Sequence, residues 1–140
     1  MTAWMWALLA AAAWGTAPLI EKAGLQRVAP MTGLFFRSLG VAVGLVFLGL
    51  FTVKPQEIRS ADARSIFLLM SAGIVASIIG QTFFYNGLKT GEVSRLVPIS
   101  ASYQLIAFIL GVILLGESLT PVKAAGAALI MLGVWFLKIG

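Results

Sequence analysis

Five apolar runs take up most of the chain, and its charged residues gather in the short breaks between them. A run of about 20 apolar residues is the length needed to cross the hydrocarbon core of a bilayer as a helix. The pattern predicts helices over residues 3–20, 30–52, 65–88, 94–116 and 121–137. The expected fold class is therefore an all-α membrane protein with five transmembrane helices, forming one domain over residues 1–140. An odd number of crossings would put the two termini on opposite sides of the membrane.

The ends of these runs carry their own signals. Pro30 and Pro121 suit the first turn of a helix, where a missing N–H costs least, and Thr120 suits the N-cap before Pro121. Trp4 and Trp6 fit an interfacial aromatic anchor. A cleavable leader does not fit: no basic segment opens the chain, and Trp14 and Pro18 precede charged Glu21-Lys22 rather than a small-residue cleavage site. Pro18 cannot donate to the Trp14 carbonyl, which predicts a bend in the first helix. The break at residues 53–64 is the longest and most polar, with room for a short interfacial helical turn.

Polar residues inside the runs are unevenly placed. Thr16, Arg37, Gln81, Tyr85, Asn86, Ser100, Tyr103 and Gln104 all fall in the half nearest Glu21, Pro30 and Lys89. The other half is nearly bare, with Ser71 and Ser77 as exceptions. The stretch 81–121, two apolar runs joined by a charged turn, is thus wet at one end and dry at the other, as a vestibule would be.

Helical spacing puts Ala10, Trp14, Ala17 and Glu21 on one face, and Gly33, Arg37, Gly40 and Gly44 on another. Gly73, Ser77, Gly80 and Phe84 form a small-residue stripe, Gln81 and Tyr85 point into one space, and Ser100, Gln104, Ala107 and Gly111 share a face. The residues predicted to line a solute cavity are Trp14, Arg37, Gln81, Tyr85, Ser100 and Gln104. Each has a plainer reading. Trp14 can be a packing aromatic, Arg37 can snorkel to the interface or brace loop carbonyls, and Gln81 can join helices by a hydrogen bond. Against these stands the cost of an ionisable group in hydrocarbon, which favours a bundle interior or a watered cavity for Arg37. Gly126 and Gly133, seven apart, offer a packing surface for another helix.

Composition narrows the function. The 140 residues are 60% hydrophobic and 11% charged, with a mean hydropathy of +1.01, which excludes an ordinary soluble domain. The sequence has no Cys and no His, which removes thiol chemistry, the commonest general base and the commonest metal ligand. No catalytic group, metal site or cofactor is expected. The net charge of +5 is scattered over short loops, so it reads as loop charge near lipid headgroups rather than a nucleic-acid surface.

Several motifs occur in order: Trp14-Gly15 with Lys22 downstream, Arg37, Tyr85-x-x-Leu88, Ser94-x-x-x-Pro98, Leu114-Leu115-Gly116-Glu117-x-Leu119-Thr120, and Gly126-Ala127-Ala128-Leu129-Ile130 followed by Gly133-Val134. With five helices at this spacing, the chain closely resembles a single EamA domain of the drug/metabolite transporter superfamily, over essentially its whole length. Most such proteins carry two domains in inverted orientation; this chain resembles the short, single-domain members, that is, a half-transporter. The resemblance implies secondary transport of small organic solutes without ATP, in the lipid bilayer, with the bacterial cytoplasmic (inner) membrane as the expected location. Small multidrug resistance proteins carry a glutamate in mid first helix, whereas residues 8–14 here are uncharged, which disfavours that form of proton coupling.

A non-transporting accessory or assembly subunit is the competing reading, and a membrane enzyme finds no support in the residues available. A single set of five helices offers no obvious alternating route, so an antiparallel homodimer is expected, with Gly126 and Gly133 at a contact. The side holding the N-terminus has Lys54, Arg59, Arg64 and Lys123, four cations; the other has Lys22, Arg27, Lys89, Arg95 and Lys138, five, or six with Arg37. So small a bias predicts dual topology. A parallel dimer, or pairing with a different half-length chain, is the alternative.

Overall fold

Apolar side chains cover the surface of the protein in its computed structural model, which describes residues 2–139. Five helices are long and apolar enough to cross a membrane: α1 (Ala3–Leu25), α2 (Pro30–Thr52), α4 (Ala63–Thr90), α5 (Val93–Leu115) and α6 (Pro121–Ile139). A short helix, α3 (Pro55–Ser60), lies in the polar connection between α2 and α4. The only buried large apolar residues among those described are Leu25, Leu34, Tyr85 and Leu88. A water-soluble domain of this size would bury far more, whereas here lipid is the natural solvent for the exposed leucines, valines and phenylalanines. The chain is an all-α membrane protein.

The helix ends follow from local chemistry. Pro30 and Pro121 occupy first helical positions, and the Thr120 hydroxyl accepts from the Lys123 N–H at 3.3 Å. Asp62 caps α4 by accepting from the Ser65 N–H at 2.9 Å, and the hydrogen bonds from Ser65 hold its carboxyl below the usual carboxylate range. Gly116 ends α5 in the left-handed conformation with φ of 67°, where a glycine meets no Cβ penalty. The helix α1 runs unbroken through Pro18 and five residues past Ile20, which takes Glu21 and Lys22 into its last turns.

Two of the long helices are irregular. In α4, residues Ile74–Gly80 form a π-helical turn that passes directly into regular helix at Gln81. The i→i+5 turn holds about one residue more than an α turn, so Gly73, Ser77, Gly80 and Phe84 do not keep the single stripe that a regular pitch gives them. In α5, Pro98 lies inside the opening segment, which ends at Ser100, and helix resumes at Tyr103. Between them the Ser102 N–H donates to Ile99 and the Gln104 N–H to Ala101, bonds of the tighter i→i+3 kind.

The chain forms two compact units that divide after Thr90. In the first, α1 to α4, the α1 and α4 ends are cross-tied. Lys22 Nζ donates to the Leu88 carbonyl at 2.6 Å, and Lys89 Nζ donates to the carbonyls of Leu25, Gln26 and Val28. Each lysine therefore satisfies carbonyls that a helix C-terminus or the chain just after it leaves without partners, and each places a cation at the negative end of a helix dipole. In the second unit, α5 and α6, Arg95 does the same for α6 by donating to Leu137 and Lys138 at 3.0 and 2.9 Å.

Candidate functional site

Arg37, about two turns inside α2, is held by Glu21 from the last turns of α1: its Nε donates to Glu21 Oε1 at 3.1 Å. The Glu21 side chain is 14% exposed and that of Arg37 31%. A cation in hydrocarbon is stabilised by a nearby anion, and here the anion comes from another helix. Close packing makes the meeting possible. Gly33, one turn before Arg37, lets α2 approach so closely that a Cβ there would lie 2.6 Å from Leu25 Cδ2 and 3.4 Å from the Tyr85 ring. Tyr85, only 3% exposed, lines one recess together with Glu21. Three helices thus meet at Glu21, Arg37 and Tyr85.

Beside this cluster is an open recess of about 280 Å³. Glu21 and Tyr85 supply its polar wall, and Leu25, Val28, Gly33 and Phe36 its apolar one. Gly24 also lines it, and a Cβ placed there would meet nothing within 4 Å.

Most other polar groups in this half of the unit are satisfied by their own helix. Thr16 donates to Ala12 and Ala13, Thr82 to Ile78, and Asn86 to Thr82. Gln81 behaves differently. Its Oε1 is buried and accepts no hydrogen bond, the one such buried side-chain atom among the described residues. It stands one turn before Tyr85 and directly after the π-helical turn, a feature frequent at functional sites.

Of the residues predicted from sequence to line a cavity, the structure brings Arg37 and Tyr85 together around Glu21, with Gln81 one turn away. Of the six, Tyr85 lines the recess; Arg37, Gln81 and Trp14 are not part of its wall, and Trp14, two turns before Glu21 on α1, is 68% exposed. Ser100 and Gln104 belong to the second unit, flank the break in α5, and are exposed; the Ser100 hydroxyl donates to the Val97 carbonyl at 2.8 Å. Sequence reading missed Glu21 as a partner because the first helix was ended at Ile20. The signal was available: Glu21 shares the Trp14 face, and an arginine inside a helix calls for an anion at its own depth.

The EamA-like transporter family model matches residues 1–139. The chain belongs to the EamA-like transporter family. It is a single EamA domain of the drug/metabolite transporter superfamily. Among curated relatives, it is 32% identical over 85 residues, 61% of the chain, to a probable amino-acid metabolite efflux pump of Salmonella typhimurium. An uncharacterized protein of Methanocaldococcus jannaschii is 30% identical over 69% of the chain. An uncharacterized transporter from the cobO 3' region of Sinorhizobium sp is 24% identical over 96% of the chain. The matches span 28% of the Salmonella pump, 70% of the archaeal protein and 94% of the Sinorhizobium transporter. No solved structure matches the chain.

Proposed function

We propose that this EamA domain is a secondary transporter of small organic solutes, working without ATP as an antiparallel homodimer around a central cavity. The observation that carries the reading is the Glu21–Arg37–Tyr85 cluster at a recess, with the unpartnered Gln81 carbonyl one turn away. A subunit that served only to hold helices together would have no use for a buried acceptor left without a donor, since such a group costs about 1–3 kcal/mol. Arg37, Gln81 and Tyr85 face the solute in this reading. Trp14 on α1 and Ser100 and Gln104 in the second unit are solute-facing residues of the same pathway. Relatives named as transporters support the class of function. The cytoplasmic (inner) membrane of a bacterium is the location this reading takes for it.

The native chain has no cysteine, so single cysteines at Trp14, Arg37, Gln81, Tyr85 and Gln104 can be titrated with small polar thiol reagents in membranes. Reaction at these positions, with protection at lipid-facing Leu114, is the expected result. Uniform protection at all five would dispose of the cavity. Liposomes containing only this chain should also exchange a labelled solute, and a need for a second, different chain would point to a heterodimer.

A further inference from the structure

Two glycines line the recess, and packing explains only one of them. A Cβ on Gly33 would lie 2.6 Å from Leu25 Cδ2, so the close approach of α2 to α1 requires glycine there. A Cβ on Gly24 would meet nothing within 4 Å. Backbone conformation does not call for glycine at 24 either: the residue lies inside α1, and among the described residues a positive φ occurs at Gly116 alone. Glycine is a poorer helix former than alanine, because its backbone loses more freedom on folding. Position 24 thus carries a residue that weakens its own helix, although the fold of the unit has room for a side chain.

We infer that Gly24 determines the size of the solute the recess admits: the absent side chain is space kept for the solute. The inference rests on the transporter reading for the entry of a solute. Glu21, Gly24 and Leu25 are spaced i, i+3 and i+4, so they share the face of α1 that borders the recess, and a side chain at 24 would grow from that face. The neighbouring wall has little freedom to withdraw, since Leu25 is 2% exposed and Tyr85 3%, and both press on Gly33. At about 280 Å³ the recess is already just below the ~300–1,000 Å³ of sites for drug-sized molecules, so a few added carbon atoms remove a large share of it. Leu25, Val28 and Phe36 make the rest of the wall mostly apolar. Position 24 therefore measures the apolar body of the solute, while Glu21 and Tyr85 meet its polar part.

The test uses two neutral thiol reagents of different size, methyl and benzyl methanethiosulfonate, on the full chain carrying Val28→Cys in the recess wall. Reaction is timed with Gly24, Gly24→Ala and Gly24→Leu. The benzyl reagent should slow step by step as the side chain at 24 grows, by ~10-fold or more in Gly24→Leu, since a pocket of fixed shape discriminates by about that factor for each carbon. The methyl reagent should slow much less. Gln26→Cys, exposed and outside the recess wall, should react at one rate in all three backgrounds. Gly24→Ala is favourable to the helix and carries the same trend should Gly24→Leu fail to fold. Equal slowing of both reagents, as a general loosening or a close contact with a second copy would give, overturns the inference, and so does no slowing at all. Flux is read separately in liposomes. Unchanged flux of a labelled solute in folded Gly24→Leu defeats the role of Gly24 and leaves the transporter reading standing. A wild-type chain that moves no solute, with the graded reagent result intact, removes the transporter reading and keeps Gly24 as the residue that bounds what enters the recess.

Discussion

Arg37 could have been satisfied by reaching to the membrane surface, as long basic side chains near helix ends commonly do. Its bond to Glu21 is instead made possible by an absent side chain, that of Gly33, one turn before it. This gives two glycines of the site opposite expectations. Gly33→Ala would press a methyl group to 2.6 Å from Leu25 Cδ2 and against the Tyr85 ring, so α2 has to move outward or Leu25 has to leave its rotamer. Overpacking of this kind costs about 1–3 kcal/mol, and the pairing of Glu21 with Arg37 should loosen with it. Gly24→Ala meets open space in a helix, where alanine is favoured over glycine by up to about 1 kcal/mol, so that variant should be neutral or more stable. Gly24→Leu should fold as well, yet fill the recess. Thermal unfolding in detergent checks the ordering Gly24→Ala at or above wild type and Gly33→Ala below it. A stable Gly33→Ala would show that α2 and α1 are not held at the distance described.

At the scale of elements, the five apolar helices were legible because length and hydrophobicity leave a membrane span few alternatives, and the short helix in the polar connection was within reach of the same reasoning. What was not legible depended on contacts between helices. Glu21-Lys22 reads in sequence as the end of a span, because two charged residues in a row mark an interface. The folded protein carries α1 on to Leu25, since both charges find partners on other helices, Arg37 for one and the Leu88 carbonyl for the other. The π-helical turn at Ile74–Gly80 has no composition of its own: Ile-Val-Ala-Ser-Ile-Ile-Gly would serve equally well in a regular helix. The break after Ser100 is better announced, by Pro98 three residues before it, though not its position. The cross-ties yield a prediction of their own. Lys89→Met keeps most of the aliphatic stem and removes three hydrogen bonds at the end of α1, to Leu25, Gln26 and Val28. Hydrogen bonds from charged donors are worth about 1.5–3 kcal/mol when buried, and part-exposure reduces this to about 1–2 kcal/mol for the set. Amide exchange at residues 23–29 should accelerate in Lys89→Met while the middle of α1 is unchanged. Acceleration spread evenly along α1 would mean the lysine supports the whole unit rather than its end.

For the molecule as a whole, the open question is how five helices make a two-sided transport path. Inverted repeats around a midplane site are the usual solution, and one chain of this kind supplies a single repeat. A second copy inserted upside down would supply the other, and that requires a chain whose orientation is nearly undecided. Orientation is set by the Lys/Arg bias between short loops. Four cations (Lys54, Arg59, Arg64 and Lys123) face five (Lys22, Arg27, Lys89, Arg95 and Lys138), so the bias amounts to one charge. Arg37, ion-paired to Glu21 inside the helical region, adds no loop charge to either side. A Cβ at Gly126 or Gly133 on α6 would meet nothing within 4 Å, so a helix of such a second copy could pack closely there. A compartment-sensitive reporter fused to the C-terminus should therefore give signal from both sides of the membrane. Adding two lysines to the 53–64 connection should drive the population to one orientation, and adding them beside Arg27 should drive it to the other. With either fixed form alone, flux should fall, and co-expression of the two should restore it. A reporter seen from one side only, indifferent to these charges, would exclude dual topology and leave a parallel dimer or a different half-length partner.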